Sequence, residues 1–133
     1  MGGDRGPRCI VSAALRSLSL YPSLHITLVG AADSVEPLLT PTDLASGRIA
    51  LRPAREQILA DDPPASVLRG KRDASMRVAL QLVRDGEVDG CLSAGNTGAL
   101  MVLARSVLGT LDGVRRPAIM AALPVSGKLC HVL

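Results

Sequence analysis

At 133 residues, 47% hydrophobic and 20% charged, the chain is long enough for one domain with a core, and its composition excludes an intrinsically disordered tract. One tyrosine, with no phenylalanine or tryptophan, leaves the core to Leu, Val, Ile, Ala and Met and removes the platforms on which many nucleic-acid modules stack bases. A net charge of +3, from 15 basic and 12 acidic residues, attracts anions weakly and argues against a duplex-DNA partner.

The chain opens on the turn-rich Met1-Gly2-Gly3-Asp4-Arg5-Gly6-Pro7, with Pro7 suited to a first helical turn. Ile10, Val11, Ala14, Leu15 and Leu18 then recur at helical spacing and predict a helix ending before Tyr21-Pro22. Residues 24–29 predict a strand that stops at Gly30. Asp33, with Glu36 three residues on, spells a capping box for a second helix, which Pro37 strains. Residues 47–51 predict another short strand, and 52–71, carrying Asp61-Asp62-Pro63-Pro64, reads largely as loop. From Asp73, the stripe Ala74, Met76, Ala79, Leu80 and Val83 predicts a helix with Gly86 as its stop.

Residues 88–92 predict a strand. The glycine-rich loop Ser93-Ala94-Gly95-Asn96-Thr97-Gly98 follows, then an apolar helix through Leu100, Leu103, Ala104, Val107 and Leu108 to Gly109. Pro117 opens a buried-looking strand at 118–123. Ser126-Gly127-Lys128 forms a turn, and 129–133 starts a last strand. Strands separated by helices predict an α/β fold whose sheet is largely parallel and covered on both faces. The connection from Pro124 to Lys128 is too short for a parallel crossover, so the final two strands should be antiparallel and the sheet mixed. The opening loop has no strand before it and the last strand runs to the final residue. Both features suggest a portion of something longer.

The arrangement of strand, Gly-rich loop and helix at 88–108 is the strongest functional signal. Gly95 and Gly98 allow close approach of a ligand, and amide hydrogens at the helix start can point at an anion favoured by the helix dipole. Ser93, Asn96 and Thr97 add short polar groups able to bond phosphate oxygens or a carbonyl. An equally plain role for Asn96 or Thr97 is capping the helix, and spacing leaves both open. Gly3 and Asp4 suggest a second ligand loop at a sheet edge, or a surface turn. Lys71, Arg72, Ser75 and Arg77 surround a helix start, where they can receive a phosphate or an acidic protein, or form a solvated face.

Other signals carry little. Gly127-Lys128 lacks the spacing of a nucleotide P-loop, and Gly95 and Gly98 do not make a dinucleotide fingerprint. Cys130-His131 lacks companion ligands, so no metal site is expected, and His25 reads as structural. No Ser/His/Asp triad can be assigned from order. Three cysteines, Cys9, Cys91 and Cys130, read as reduced thiols of a cytoplasmic protein, and no signal peptide or membrane-spanning run is visible.

The blocks MGGDRGP at 1–7, KRDASMRVAL at 71–80, SAGNTGALM at 93–101 and RRPAIMAALP at 115–124 together resemble the amino-terminal part of the bacterial PlsX family of phosphate acyltransferases. The resemblance covers nearly the whole chain, which would then be the amino-terminal part, residues 1–133, of a single catalytic domain. It implies a Rossmann-like αβα layered fold related to phosphotransacetylases, here incomplete. It also implies transfer of a long-chain acyl group from acyl carrier protein to inorganic phosphate, without a cofactor. The acyl phosphate product would feed a glycerol-3-phosphate acyltransferase. The complete protein is expected to be a homodimer, peripheral at the inner face of the bacterial membrane. On this reading Gly3, Asp4, Ser93, Gly95, Asn96, Thr97 and Gly98 lie on the phosphate side. Lys71, Arg72, Ser75 and Arg77 attract phosphate or the carrier protein, and the catalytic residues stay unassigned. The isolated chain is expected to be inactive. A short-chain phosphotransacetylase using coenzyme A, or a noncatalytic anion-binding remnant, are the rival readings.

Overall fold

Pro7 stands in the first turn of helix α1 (Gly6–Leu20), where its missing amide hydrogen costs no bond. The computed structural model describes residues 5–132 of the chain. Val11, Ala14 and Leu18 form the buried stripe of α1, at the spacing the sequence gives them. Strand β1 (Ile26–Gly30) follows and pairs in parallel with β2 (Ile49–Pro53), Ile26 opposite Ile49 and Leu28 opposite Leu51. Arg48, at the entry to β2, donates through Nη1 to the carbonyls of Leu18 at 2.9 Å and Pro22 at 3.2 Å. A cation on the orphan carbonyls at the end of α1 fixes the helix against the strand pair.

The connection from β1 to β2 departs from expectation in one detail. Ala31, not Asp33, occupies the N-cap position of the short helix α2 (Ala32–Val35), and no side chain caps it. Asp33 lies two residues past the cap position, so the expected Asp33–Glu36 capping box does not form. Pro37 falls instead in a 3-10 turn, Glu36–Leu38. The capping box appears at α3 (Pro41–Ala45). There Thr40 Oγ1 accepts from the Asp43 amide at 3.2 Å, and Asp43 Oδ2 accepts from the Thr40 amide at 2.8 Å. Val11, Ala14, Leu18, Leu28, Val35 and Ile49 close into one apolar cluster between α1, α2 and the strand pair.

A second cluster gathers Ile58, Val67, Ala74, Met76, Leu80, Ala99 and Leu103. It lies between α4 (Pro64–Arg69), α5 (Ser75–Arg84) and α6 (Thr97–Leu108). Helix α4 corrects the reading of 52–71 as loop. Pro64 sits at its first position, so the Asp-Asp-Pro-Pro run that looks like a breaker is a helix start. Gly86, with φ +71°, ends α5 as expected. Its amide bonds to the Val83 carbonyl at 3.1 Å, and the Glu87 amide bonds to Leu82 at 2.9 Å, the two bonds of a Schellman stop.

Two strand expectations change. Residues 88–92 are not a strand. They run without a ladder partner, and Leu92 is 99% exposed. A strand exists only where a neighbour takes its backbone groups, and among the described residues β1 pairs with β2 alone. The buried-looking strand at 118–123 becomes β3 (Ala121–Val125), exposed along its whole length, and it pairs antiparallel with the equally exposed β4 (Lys128–Val132). The turn expected at Ser126-Gly127-Lys128 is a tight two-residue one, Ser126 at φ +36° and Gly127 at φ +77°, with Lys128 already in β4. The hairpin forms its own sheet, so the parallel and antiparallel pairs stand apart rather than in one mixed sheet. The class is α/β, an incomplete Rossmann-like layered fold built on a parallel pair.

Candidate functional site

The glycine loop stands where α6 begins. Ser93 Oγ accepts from the Gly95 amide at 3.2 Å, closing a small turn that bends the chain toward the helix. Asn96 is the N-cap of α6, its Oδ1 accepting from the Ala99 amide at 2.9 Å. The capping role foreseen for Asn96 is therefore real. Its Nδ2 points the other way and meets three carbonyls, Leu59 at 3.3 Å, Ala60 at 3.0 Å and Asp62 at 3.2 Å. The side-chain amide of Asn96 is committed to the protein on both sides.

Thr97, the first residue of α6, is exposed, and Gly98 is half-buried beside it. A methyl group at Gly98 would meet Asn96 Oδ1 and Pro64 Cγ, each at 3.5 Å, which is ordinary contact. The fold therefore leaves room for alanine there and does not itself demand glycine. A long apolar helix of 12 residues with no acidic side chain in its first turn presents the positive end of its dipole at this loop.

The basic set divides. Lys71, at φ +47°, sends Nζ to the Asp62 carboxylate in an ion pair and to the Gln57 carbonyl at 2.9 Å. Lys71 and Asn96, distant in sequence, thus grip the same segment, residues 57–62. Arg77 donates Nη2 to the Val67 carbonyl at 3.1 Å and the Leu68 carbonyl at 3.0 Å, and its Nε is buried without a hydrogen-bond partner. It ties the end of α4 to α5. Arg72 is exposed, and Ser75 is half-buried at the start of α5, its amide bonded to the Glu56 carbonyl at 3.1 Å. Gly3 and Asp4 lie outside the described residues.

Asp62 is the residue sequence reasoning passed over. Its Oδ2 accepts from the Leu59 amide at 2.7 Å as well as from Lys71. The Lys71 bond first, and the Leu59 amide second, hold its carboxyl below the usual aspartate range. The only clue in sequence was an Asp just before Pro-Pro, nine residues ahead of Lys71.

A groove of about 860 Å³ runs between β1 and residues 87–95, lined by Ile10, Ala14, Leu28, Met76, Cys91 and Gly95 among others. It connects the two apolar clusters with the glycine loop. Cys91 is half-buried there, and burial pushes its thiol up from the ordinary cysteine value, so at neutral pH it is a thiol and a poor nucleophile. Among the described residues, no group of three or more His, Cys, Asp or Glu side chains is placed to hold a metal ion, and no helix is long and apolar enough to cross a membrane.

A family model described as "Fatty acid synthesis protein" matches residues 1–133. The chain belongs to the fatty acid synthesis protein family. Among its relatives, the phosphate acyltransferase of Pseudomonas fluorescens (strain Pf0-1) is 55% identical over 134 residues, covering all of this chain and 40% of the relative. The phosphate acyltransferases of Pseudomonas putida (strain GB-1) and Halorhodospira halophila (strain DSM 244 / SL1) are 52% and 48% identical, covering 40% and 39% of those proteins. This member of the fatty acid synthesis protein family thus spans about 40% of the length of these relatives.

Proposed function

We propose that this chain supplies the phosphate-holding side of an acyltransferase that moves a long-chain acyl group from acyl carrier protein to inorganic phosphate. The observation that carries the reading is the match of the whole of this chain to the corresponding 40% of phosphate acyltransferases, together with the loop at the start of α6, the best anion site of the chain. Backbone amides at 96–98, with the exposed Thr97 hydroxyl, hold phosphate at the positive end of the helix. One phosphate oxygen attacks the thioester carbonyl. The carbon–sulfur bond breaks as the carbon–oxygen bond forms, and the proton lost from phosphate leaves with the carrier thiol. No covalent enzyme intermediate is required, so the chain contributes by positioning phosphate and balancing its charge. The protonated Cys91 fits a supporting role only. Exposed Arg72 offers an acidic carrier protein a basic contact.

The reading is tested in a chimera, the Pseudomonas fluorescens enzyme carrying residues 1–133 of this chain in place of its matching segment. With acyl carrier protein thioester and inorganic phosphate, the expected product is acyl phosphate, detected by phosphorus NMR. Turnover with acetyl-coenzyme A instead of the long-chain donor would assign a short-chain phosphotransacetylase. A folded chimera inert with both donors would leave the chain a noncatalytic anion-binding unit.

A further inference from the structure

Residues 57–62 form a strap that crosses to the amino end of α6 and is held there from two sides. On one side the Asn96 Nδ2 donates to the carbonyls of Leu59, Ala60 and Asp62, at 3.0 to 3.3 Å. On the other, the Asp62 carboxylate accepts from the Leu59 amide and pairs with Lys71, which also donates to Gln57. Ile58, inside the strap, is buried in the same apolar cluster as Ala99 and Leu103 of α6. The carbonyls converging on Asn96 come from residues that are 34 to 37 positions away in sequence, so the contact exists only because the strap is folded back.

The geometry has a consequence for Asn96. An amide bonded to three carbonyls has no donor left for a phosphate oxygen, because –NH₂ offers two hydrogens. The strap therefore converts Asn96 from a ligand contact into a fixed cap, whose Oδ1 sets the position of Ala99 and with it the first turn of α6. Lys71 at φ +47° is held in a backbone region that non-glycine residues rarely visit, and the Asp62 pair and Gln57 bond retain it there.

We propose that Asp62, together with Lys71, is a positioning residue for the phosphate loop: it latches the strap that immobilises Asn96 and thereby aims the backbone amides of 96–98. This rests on the reading of that loop as phosphate-holding. Asp62 acts through Asn96 and touches no reactant. Removing the latch lets Asn96 turn and the first turn of α6 loosen, which weakens phosphate binding while leaving the acyl-donor side alone.

The test uses the same chimera with Asp62→Ala, Asp62→Asn and Lys71→Met. Asp62→Ala is expected to raise the phosphate KM roughly tenfold, the scale of losing a charge-assisted hydrogen bond. kcat should stay within about twofold and the KM for the acyl donor should not move. Asp62→Asn keeps an acceptor for the Leu59 amide and should fall between Asp62→Ala and the parent, and Lys71→Met should resemble Asp62→Asn. Hydrogen exchange supplies a readout independent of turnover, with the Ala99 amide expected to exchange about tenfold faster in Asp62→Ala. An unchanged phosphate KM with unchanged Ala99 exchange overturns the proposal. So does a parallel loss of kcat, both KM values and Tm, which would mark Asp62 as a general stability residue. If the parent chimera folds but shows no phosphate-dependent turnover, the functional reading fails, and Ala99 exchange still decides whether the latch exists.

Discussion

Asn96 shows how a single residue can be half-readable. Its place after a glycine and before an apolar helix marked it as a cap, and Oδ1 on the Ala99 amide fulfils that. The three carbonyls on its other end come from a loop no local rule connects to it. Asp62 was hidden for the same reason: its importance is a tertiary fact. Its carboxyl is held below the usual aspartate range by Lys71 and the Leu59 amide. A depressed folded-state pKa stabilises the fold fully above the unfolded value, near 4, and the benefit is lost as pH falls through the folded value. Melting the chain and its Asp62→Asn variant side by side should therefore give a Tm gap that is constant above about pH 5 and closes below about pH 4. A gap that persists to pH 2 would assign the effect to something other than this ionisation.

Among the elements, helices were legible where a long apolar stripe carried them, and strands were not always. The stripes of α1 and α6 were read from spacing, and α4 was missed because Pro63-Pro64 looks like a break when it is a start. Residues 88–92 have the composition of a strand, yet a strand is a relation between two segments, and composition describes only one. The hairpin from Ala121 to Val132 was legible in its sense and its turn, but not in its exposure, because burial depends on what packs over it. Packing at α6 makes a plain stability test. Leu103 is fully buried at the centre of the second cluster. Leu103→Ala removes its contacts and leaves a cavity, so urea unfolding should show a loss of about 2–5 kcal/mol. A loss below about 1 kcal/mol would mean that α6 is not anchored through this cluster.

Across the molecule, two apolar clusters flank a groove, and the glycine loop opens onto it. The α/β layering and the parallel pair agree with expectation. The parallel pair and the hairpin remain separate sheets. Four sequence blocks point to the family, because together they are far more specific than one glycine loop. What they did not disclose was the division of labour within the site, where Lys71, Arg77, Asn96 and the Gly95 amide are occupied within the protein and the amides of 96–98 are left for a ligand. Gly98 separates a structural from a functional account most sharply, since an added methyl makes only ordinary contacts at 3.5 Å within the protein. Alanine also favours a helix over glycine by roughly 0.5–1 kcal/mol, so Gly98→Ala should fold at least as well as the parent. The decisive measurement is the phosphate KM of the Gly98→Ala chimera beside its Tm. A KM raised tenfold or more, on the order of 1.4 kcal/mol, with an equal or higher Tm, is the predicted result. An unchanged phosphate KM in that folded variant would contradict the claim that phosphate is held against this loop.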